Sequence, residues 1–228
     1  IGDTVGLTVY KNGKLHGNQW YSFSQQYSGS GDTKRYLIGK FENGEATGTI
    51  VAINVEYETA AGGGKLVTDT LAVAAYANGK RNGAARYQLK NLKYDMTFAN
   101  DLPEGGLTIK NYKNETIERY FFNGGRVNKM QYFKENTLSY EYLIPEKDSL
   151  QLELEKIYEL TDVLFDDHGM YEWKYASARK IDRHDTPEKS VFTKFYPNGS
   201  VARTGELISE KKTGRWAYAN EDQTTRYT

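Results

Sequence analysis

The sequence predicts an all-β protein, with antiparallel β-hairpin repeats forming an elongated, single-layer twisted sheet or an open, solenoid-like array. Three observations carry that expectation. Asn-Gly recurs at Asn12-Gly13, Asn43-Gly44, Asn78-Gly79, Asn123-Gly124 and Asn198-Gly199, each time two positions after an aromatic: Tyr10, Phe41, Tyr76, Phe121 and Tyr196. Four positions after the Gly of the first three pairs stands a second Gly: Gly17, Gly48 and Gly83. Finally, a mean hydropathy of −0.74 with 19 Tyr against 9 Phe suits a thin structure, because a Tyr ring can pack while its hydroxyl stays wet.

The first three copies read YKNGKLHG, FENGEATG and YANGKRNG. Asn and Gly both tolerate positive φ, so Asn-Gly favours the tight turns whose twist matches paired strands. The residues on either side then run antiparallel. The aromatic before each turn is expected to lie across the Gly after it, with Tyr10 on Gly17, Phe41 on Gly48 and Tyr76 on Gly83. A bare backbone there would leave room for the ring. Four residues further on, Tyr21 and Tyr87 continue the face, with Ala52 in the second copy. A fourth copy is framed on Phe121, Asn123-Gly124, Asn128 and Tyr132, and a degenerate one on Leu207, Ser209-Glu210, Gly214 and Tyr218. Weaker turn signals are Phe133–Asn136, Phe165–Gly169 and Tyr218–Asp222, and Leu102–Gly106 also reads as a turn. Ser28–Asp32 and Ala61–Gly64 read as loops. No single hairpin is stable alone, so neighbours must supply the core.

Three regions follow: hairpin repeats over 1–140, an irregular insertion over 141–189, and C-terminal repeats over 190–228, together expected to form one continuous unit. Within the insertion, Leu150, Leu152 and Leu154 alternate with polar residues and predict a strand, with a helix over Leu154–Leu164 as the alternative. The stretch from Lys180 to Lys189 carries Pro187 and reads as a loop.

The frame of aromatic, Asn-Gly, Lys, two residues and Gly resembles the MORN repeat, best at Tyr10–Tyr21 and Tyr76–Tyr87. The C-terminal stretch from Phe195 through Tyr218 looks like the bacterial variety found in antitoxin-like repeat proteins. The resemblance implies a hairpin array serving as a scaffold, in some members at membranes or phosphoinositides. The Asn-Gly pairs here fall at uneven intervals, unlike an evenly spaced solenoid.

Composition removes several functional classes. Lys plus Arg and Asp plus Glu number 30 each, which argues against a general nucleic-acid binder. The absence of Cys removes disulfides, thiolate metal sites and cysteine nucleophiles. No apolar run is long enough for a transmembrane helix. The chain opens on Ile1 rather than Met, which points to removal of an upstream segment and so to an extracytoplasmic setting, periplasmic or as a cell-surface lipoprotein, with a cytoplasmic one as the alternative.

No catalytic constellation is legible, and the expectation is a protein without enzyme activity or cofactor. There is no G-x-S-x-G elbow, no HExxH and no Walker-type spacing. His16 falls in a repeat turn, where surface placement is expected. Asp166-Asp167-His168 and Asp182-Arg-His184-Asp185 read as solvated turns rather than metal ligands. Nothing singles out one carboxylate pair for glycoside chemistry. The candidate interaction surface is aromatic and basic: Trp20, Trp173 and Trp216, with Lys80, Arg81, Lys211, Lys212 and Arg215 on turns beside aromatics. These residues suit a scaffold for protein–protein or cell-envelope contacts. The alternatives are a carbohydrate-binding module using Tyr and Trp rows, or a toxin-neutralising protein. A glycan or an anionic membrane surface is a further possible partner.

Overall fold

The computed structural model describes residues 6–28, 31–60, 63–89, 91–145 and 189–227. These residues are all-β, with antiparallel strands in a large open sheet and no helix among them. Two compact units are present. Among the described residues, the first takes those up to Leu89 with Phe98–Asp101, and the second takes the rest. The Leu150–Leu154 strand, the Leu154–Leu164 helix, the turn at 165–169, Trp173, His168 and His184 all lie outside the described residues, as do the carboxylates near those histidines.

The first unit contains β1 (Gly6–Leu7), β2 (Tyr10–Lys11), β3 (Lys14–Leu15), β4 (Gly17–Ser28), β5 (Gly31–Glu42), β6 (Glu45–Ala60), β7 (Gly63–Ala77) and β8 (Lys80–Leu89). Strands β4 to β8 pair in chain order, β1 edges β4, and β2 pairs β3 as a separate tip hairpin. Strand β9 (Leu92–Ala99) is followed by β10 (Leu102–Pro103), β11 (Gly105–Lys110), β12 (Thr116–Asn123), β13 (Arg126–Lys134) and β14 (Thr137–Leu143). Then come β15 (Lys189–Phe195), β16 (Val201–Ile208), β17 (Lys211–Ala219) and β18 (Thr225–Tyr227). From β11 to β18 each strand pairs with the next.

The predicted turns form for the predicted reason. Asn12, Asn43 and Asn78 each have φ near 52°, and Gly13, Gly44 and Gly79 follow at 73°, 91° and 74°. Two consecutive positive φ values define the turn that leaves flanking strands with their native twist. The fourth copy is displaced by one residue. Its turn is Gly124-Gly125 (φ 55° and 81°), with Asn123 still in the strand opposite Arg126. Its aromatic is therefore Phe122, which is buried, and not Phe121. The fifth Asn-Gly is not a two-residue turn. Tyr196 accepts from Gly199 N–H and donates to Ser200, with Pro197 and Asn198 between and Gly199 at φ 84°. This three-residue connection recurs at Asn111–Glu115 and Asn220–Thr224.

Leu102–Gly106 is not a turn but the ends of two strands, β10 and β11, with Glu104 between them. The turn precedes it at Asn100-Asp101, φ 51° and 70°. Phe98, Asn100-Asp101 and Gly105 keep the repeat frame with Asp in place of the turn Gly, a copy the sequence reading passed over. The two-residue turns at Glu135-Asn136 and Ser209-Glu210 complete the set.

The second Gly of each copy has a different role from the one expected. Gly17, Gly48, Gly83, Gly105 and Gly214 all have positive φ, between 62° and 114°. A Cβ at Gly48 or Gly105 would meet nothing within 4 Å, so the space is not what demands glycine. The backbone conformation does. Within its own hairpin each aromatic faces the residue two before the Gly: Tyr10 opposite Leu15, Phe41 opposite Ala46, Tyr76 opposite Arg81. The Gly faces the aromatic of the next copy, with Gly17 opposite Phe41, Gly48 opposite Tyr76 and Gly105 opposite Phe122.

A second bond stitches successive tips. The second turn residue donates its N–H to the carbonyl two before the preceding Gly: Gly44 to Leu15, Gly79 to Ala46, Asp101 to Arg81 and Gly125 to Pro103, at 2.8–3.0 Å.

One face of each unit is core. In the first, Leu37, Ala52, Ala72 and Tyr87 oppose one another across four strands, at 6%, 1%, 0% and 0% exposure. Small Ala52 and Ala72 between the larger ends let the row close without voids. In the second, Leu107, Tyr120 and Met130 continue the same kind of row, all buried.

Candidate functional site

The core row of the second unit opens towards its C-terminal strands. The register runs Leu107, Tyr120, Met130, Tyr142, Phe192, Gly205, Trp216 across β11 to β17. Leu107 is 0% exposed, while Tyr142 and Trp216 are half-buried. A parallel row, displaced by two residues on each strand and hence on the same face, runs Tyr132, Tyr140, Lys194, Arg203, Tyr218.

The rings touch in sequence. Tyr132 and Tyr140 stack at 4.6 Å between centroids, and Tyr142 meets Tyr140 edge-on at 5.9 Å. Phe192 lies 5.3 Å from Tyr142 and 6.2 Å from Trp216, and Tyr218 closes the row at 6.5 Å. Offset and edge geometries of this kind satisfy the ring quadrupoles. Trp216 is held by two features. Its Nε1 donates to the Thr213 carbonyl at 3.1 Å. Its indole lies on Gly205, where a Cβ would come within 2.3 Å of Cδ2. The ring laid flat on a bare backbone thus exists here, although not at Gly17, Gly48 or Gly83.

Cations interleave with the rings. Arg203 Cζ stands 5.6 Å from the Phe192 centroid, and its Nε is buried without a hydrogen-bond partner. Lys212 Nζ stands 4.6 Å from Trp216 and 5.3 Å from Tyr218, and donates to Tyr218 Oη at 2.8 Å. Lys194 is exposed. Together Ser139, Tyr140, Tyr142, Phe192, Lys194, Arg203, Leu207, Glu210, Lys212 and Trp216 line an open groove of about 430 Å³. Its volume lies within the range of small-molecule sites. A larger cleft of about 660 Å³ lies by the Gly124-Gly125 tip. Its Lys129 is already engaged with Phe121 at 4.2 Å and Glu141 at 3.9 Å, and no aromatic is among its described lining residues.

Burial raises the pKa of the tyrosines in and behind the groove. Tyr132 is pushed up to about 12, first by burial, and Tyr142 is also raised by burial and then by Tyr140. Tyr120 lies well above the ordinary tyrosine value, because it is buried and donates to Glu118 Oε2 at 2.6 Å. These hydroxyls are neutral donors and acceptors near neutral pH.

The predicted surface residues do not converge. Trp20 is half-buried in the first unit, tilted 6.1 Å from Tyr36 and opposite exposed Ile38. Lys80 is exposed beside the Asn78-Gly79 tip. Arg81 is not a surface cation. It is 9% exposed, pairs with Asp101 through Nε at 3.0 Å and packs over Phe98 at 4.9 Å. Desolvation makes such a guanidinium structural. Lys211 and Arg215 are exposed on the β16–β17 hairpin, and of the basic residues named from the sequence only Lys212 lines the groove with Trp216. His16 is half-buried rather than on the surface. Among the described residues no cluster of three metal-ligating side chains occurs. No helix among them is long and apolar enough to cross a membrane. Sequence reasoning missed Tyr140, Tyr142, Phe192, Lys194 and Arg203. Their signal was the i, i+2 spacing of Tyr140-Glu-Tyr142 and Phe192-Thr-Lys194, which repeats in Trp216-Ala-Tyr218.

No protein-family model matches this chain, and no curated protein matches it. Among solved structures it is similar to a porin-like protein from Bacteroides uniformis, at 6% identity and a TM-score of 0.23, over 92% of this chain and 91% of that one. A likeness of that size carries no argument about fold or function.

Proposed function

We propose that the chain is a non-catalytic hairpin-repeat scaffold, of MORN-like construction, that contacts cell-envelope material through the groove on its second unit. The observation that supports this reading is the unfinished core row. Tyr140, Tyr142 and Trp216 are ordered by ring contacts and by Gly205, yet remain half-buried and open to solvent. Rings held rigid before binding lose little entropy on contact, which suits a recognition surface. Tyr87, the ring of the first unit's row, is fully buried in its own packing.

The test uses the full chain immobilised beside two variants, Trp216→Ala with Tyr142→Ala, and Trp20→Ala. Each is exposed to an envelope extract of the source cells. The groove variant is expected to lose retention while Trp20→Ala keeps it. Equal retention by all three ends the proposal.

A further inference from the structure

Taking the groove as the binding surface, we infer that its ligand is an acidic saccharide, whose sugar faces stack on Trp216 and Tyr142 and whose carboxylates meet Lys194, Arg203 and Lys212. Three features of the site point there. The first is charge. Among the described residues, three cations line the groove against one acid, Glu210. None of the three makes an ion pair with a carboxylate among the described residues, and Arg203 Nε is buried with nothing to donate to. A buried, unpaired guanidinium N–H is costly, and a ligand carboxylate is the group that would satisfy it.

The second is shape. Trp216 lies flat on Gly205, lines the groove and carries Lys212 Nζ 4.6 Å from its ring centroid. A flat apolar platform edged by donors matches a pyranose ring, with C–H groups on one face and oxygens at its rim. Ser139 adds a further polar residue to the lining.

The third decides between a glycan and an acidic peptide. A peptide binding to a sheet gains its affinity from an open strand edge. At Tyr140, Tyr142, Phe192, Lys194 and Arg203 the strands β14, β15 and β16 are paired on both sides, while β17 meets β18 at Tyr218 and Ala219. Over β14 to β16 the groove therefore offers a main chain no ladder to join, only side-chain faces.

Isothermal titration of the whole chain with a short oligogalacturonate, its methyl ester and polyglutamate tests the inference. The oligogalacturonate is expected to bind at least tenfold more tightly than the ester, with salt-sensitive affinity, and polyglutamate to bind weakly or not at all. Lys194→Gln and Lys212→Gln, both at exposed positions, should each lower the acid's affinity severalfold and the ester's by clearly less. Trp216→Ala should abolish binding of both sugars, and Trp216→Phe, which keeps a ring, should restore it. Equal affinity for acid and ester overturns the charge assignment. Polyglutamate binding as tightly as the sugar replaces it with an acidic peptide. Failure of every sugar to bind while the Trp216–Tyr142 variant still loses envelope retention overturns the saccharide and leaves the groove standing. Failure of that retention difference removes the groove itself.

Discussion

Gly48 and Gly205 are both strand glycines, kept for different physical reasons that substitution separates. Gly48 has φ 69° and open space around its missing Cβ. Ala there is expected to cost about 1–2 kcal/mol, the ordinary penalty of an L-residue in that region. Asn, which tolerates the same conformation, should recover most of the loss in a urea melt. If Ala and Asn cost the same, conformation is not the reason for glycine. Gly205 has no positive φ but has Trp216 on top of it. Gly205→Ala must displace the indole, so it should cost about 1–3 kcal/mol and shift tryptophan emission to the red as the ring enters water. Unchanged emission would mean the indole does not lie there. Gly83 combines both constraints, with φ 114° and Ala75 Cβ 3.2 Å away. Gly83→Val is expected to lower stability by roughly 1–3 kcal/mol despite the better strand propensity of Val.

At the scale of the hairpin, the position of the turn matters more than the dipeptide that announces it. Asn78 is a true turn residue at φ 52°, whereas Asn123 belongs to β12 and faces Arg126. Asn78→Ala should therefore destabilise by about 1 kcal/mol or more, while exposed Asn123→Ala should stay within ~0.5 kcal/mol of wild type. Similar melting shifts for both would return the fourth turn to Asn123-Gly124. This case also marks how far the sequence could be read. The hairpins and the positive φ of their turn residues were legible, because Asn-Gly carries a local backbone preference that packing does not override. Ring placement was not. Register between hairpins is set by the tip bonds from Gly44 to Leu15 and from Gly79 to Ala46, which no local pattern encodes. The Phe98, Asn100-Asp101, Gly105 copy was hidden by Asp in the Gly position, although Asp tolerates the same φ. The groove was hidden for a further reason: its two rows draw on β13 to β17, five strands interrupted in sequence by residues 146–188. Trp216 was visible as a candidate, but its neighbours Phe192 and Arg203 only become neighbours through cross-strand pairing.

For the whole molecule, the buried tyrosines make stability fall in alkali, and the sign follows from their proton affinity. Unfolded Tyr ionises near pH ~10. Tyr132 in the folded chain ionises at about 12, Tyr120 higher still, and Tyr94 and Tyr142 are raised as well, each mainly by burial. The folded state thus holds protons that the unfolded state releases. Their contribution to stability is complete below pH ~10 and is lost as pH rises from there through 12. Urea midpoints measured across that interval should be flat on the acid side of 10 and then fall steadily. Tyrosinate absorbance of the native protein should lag that of the urea-unfolded chain over the same interval. Lysines deprotonate nearby, near ~10.4, so the assignment needs a variant. Tyr132→Phe removes an ionisable group without removing the ring, and should make the decline above pH ~10 shallower. Glu118→Gln should change it less, because burial outweighs Glu118 as the cause at both Tyr120 and Tyr132. A native chain whose tyrosines all titrate near pH ~10 would mean that the row from Tyr120 to Tyr142 is open to water, and the packed core behind the groove would have to be given up.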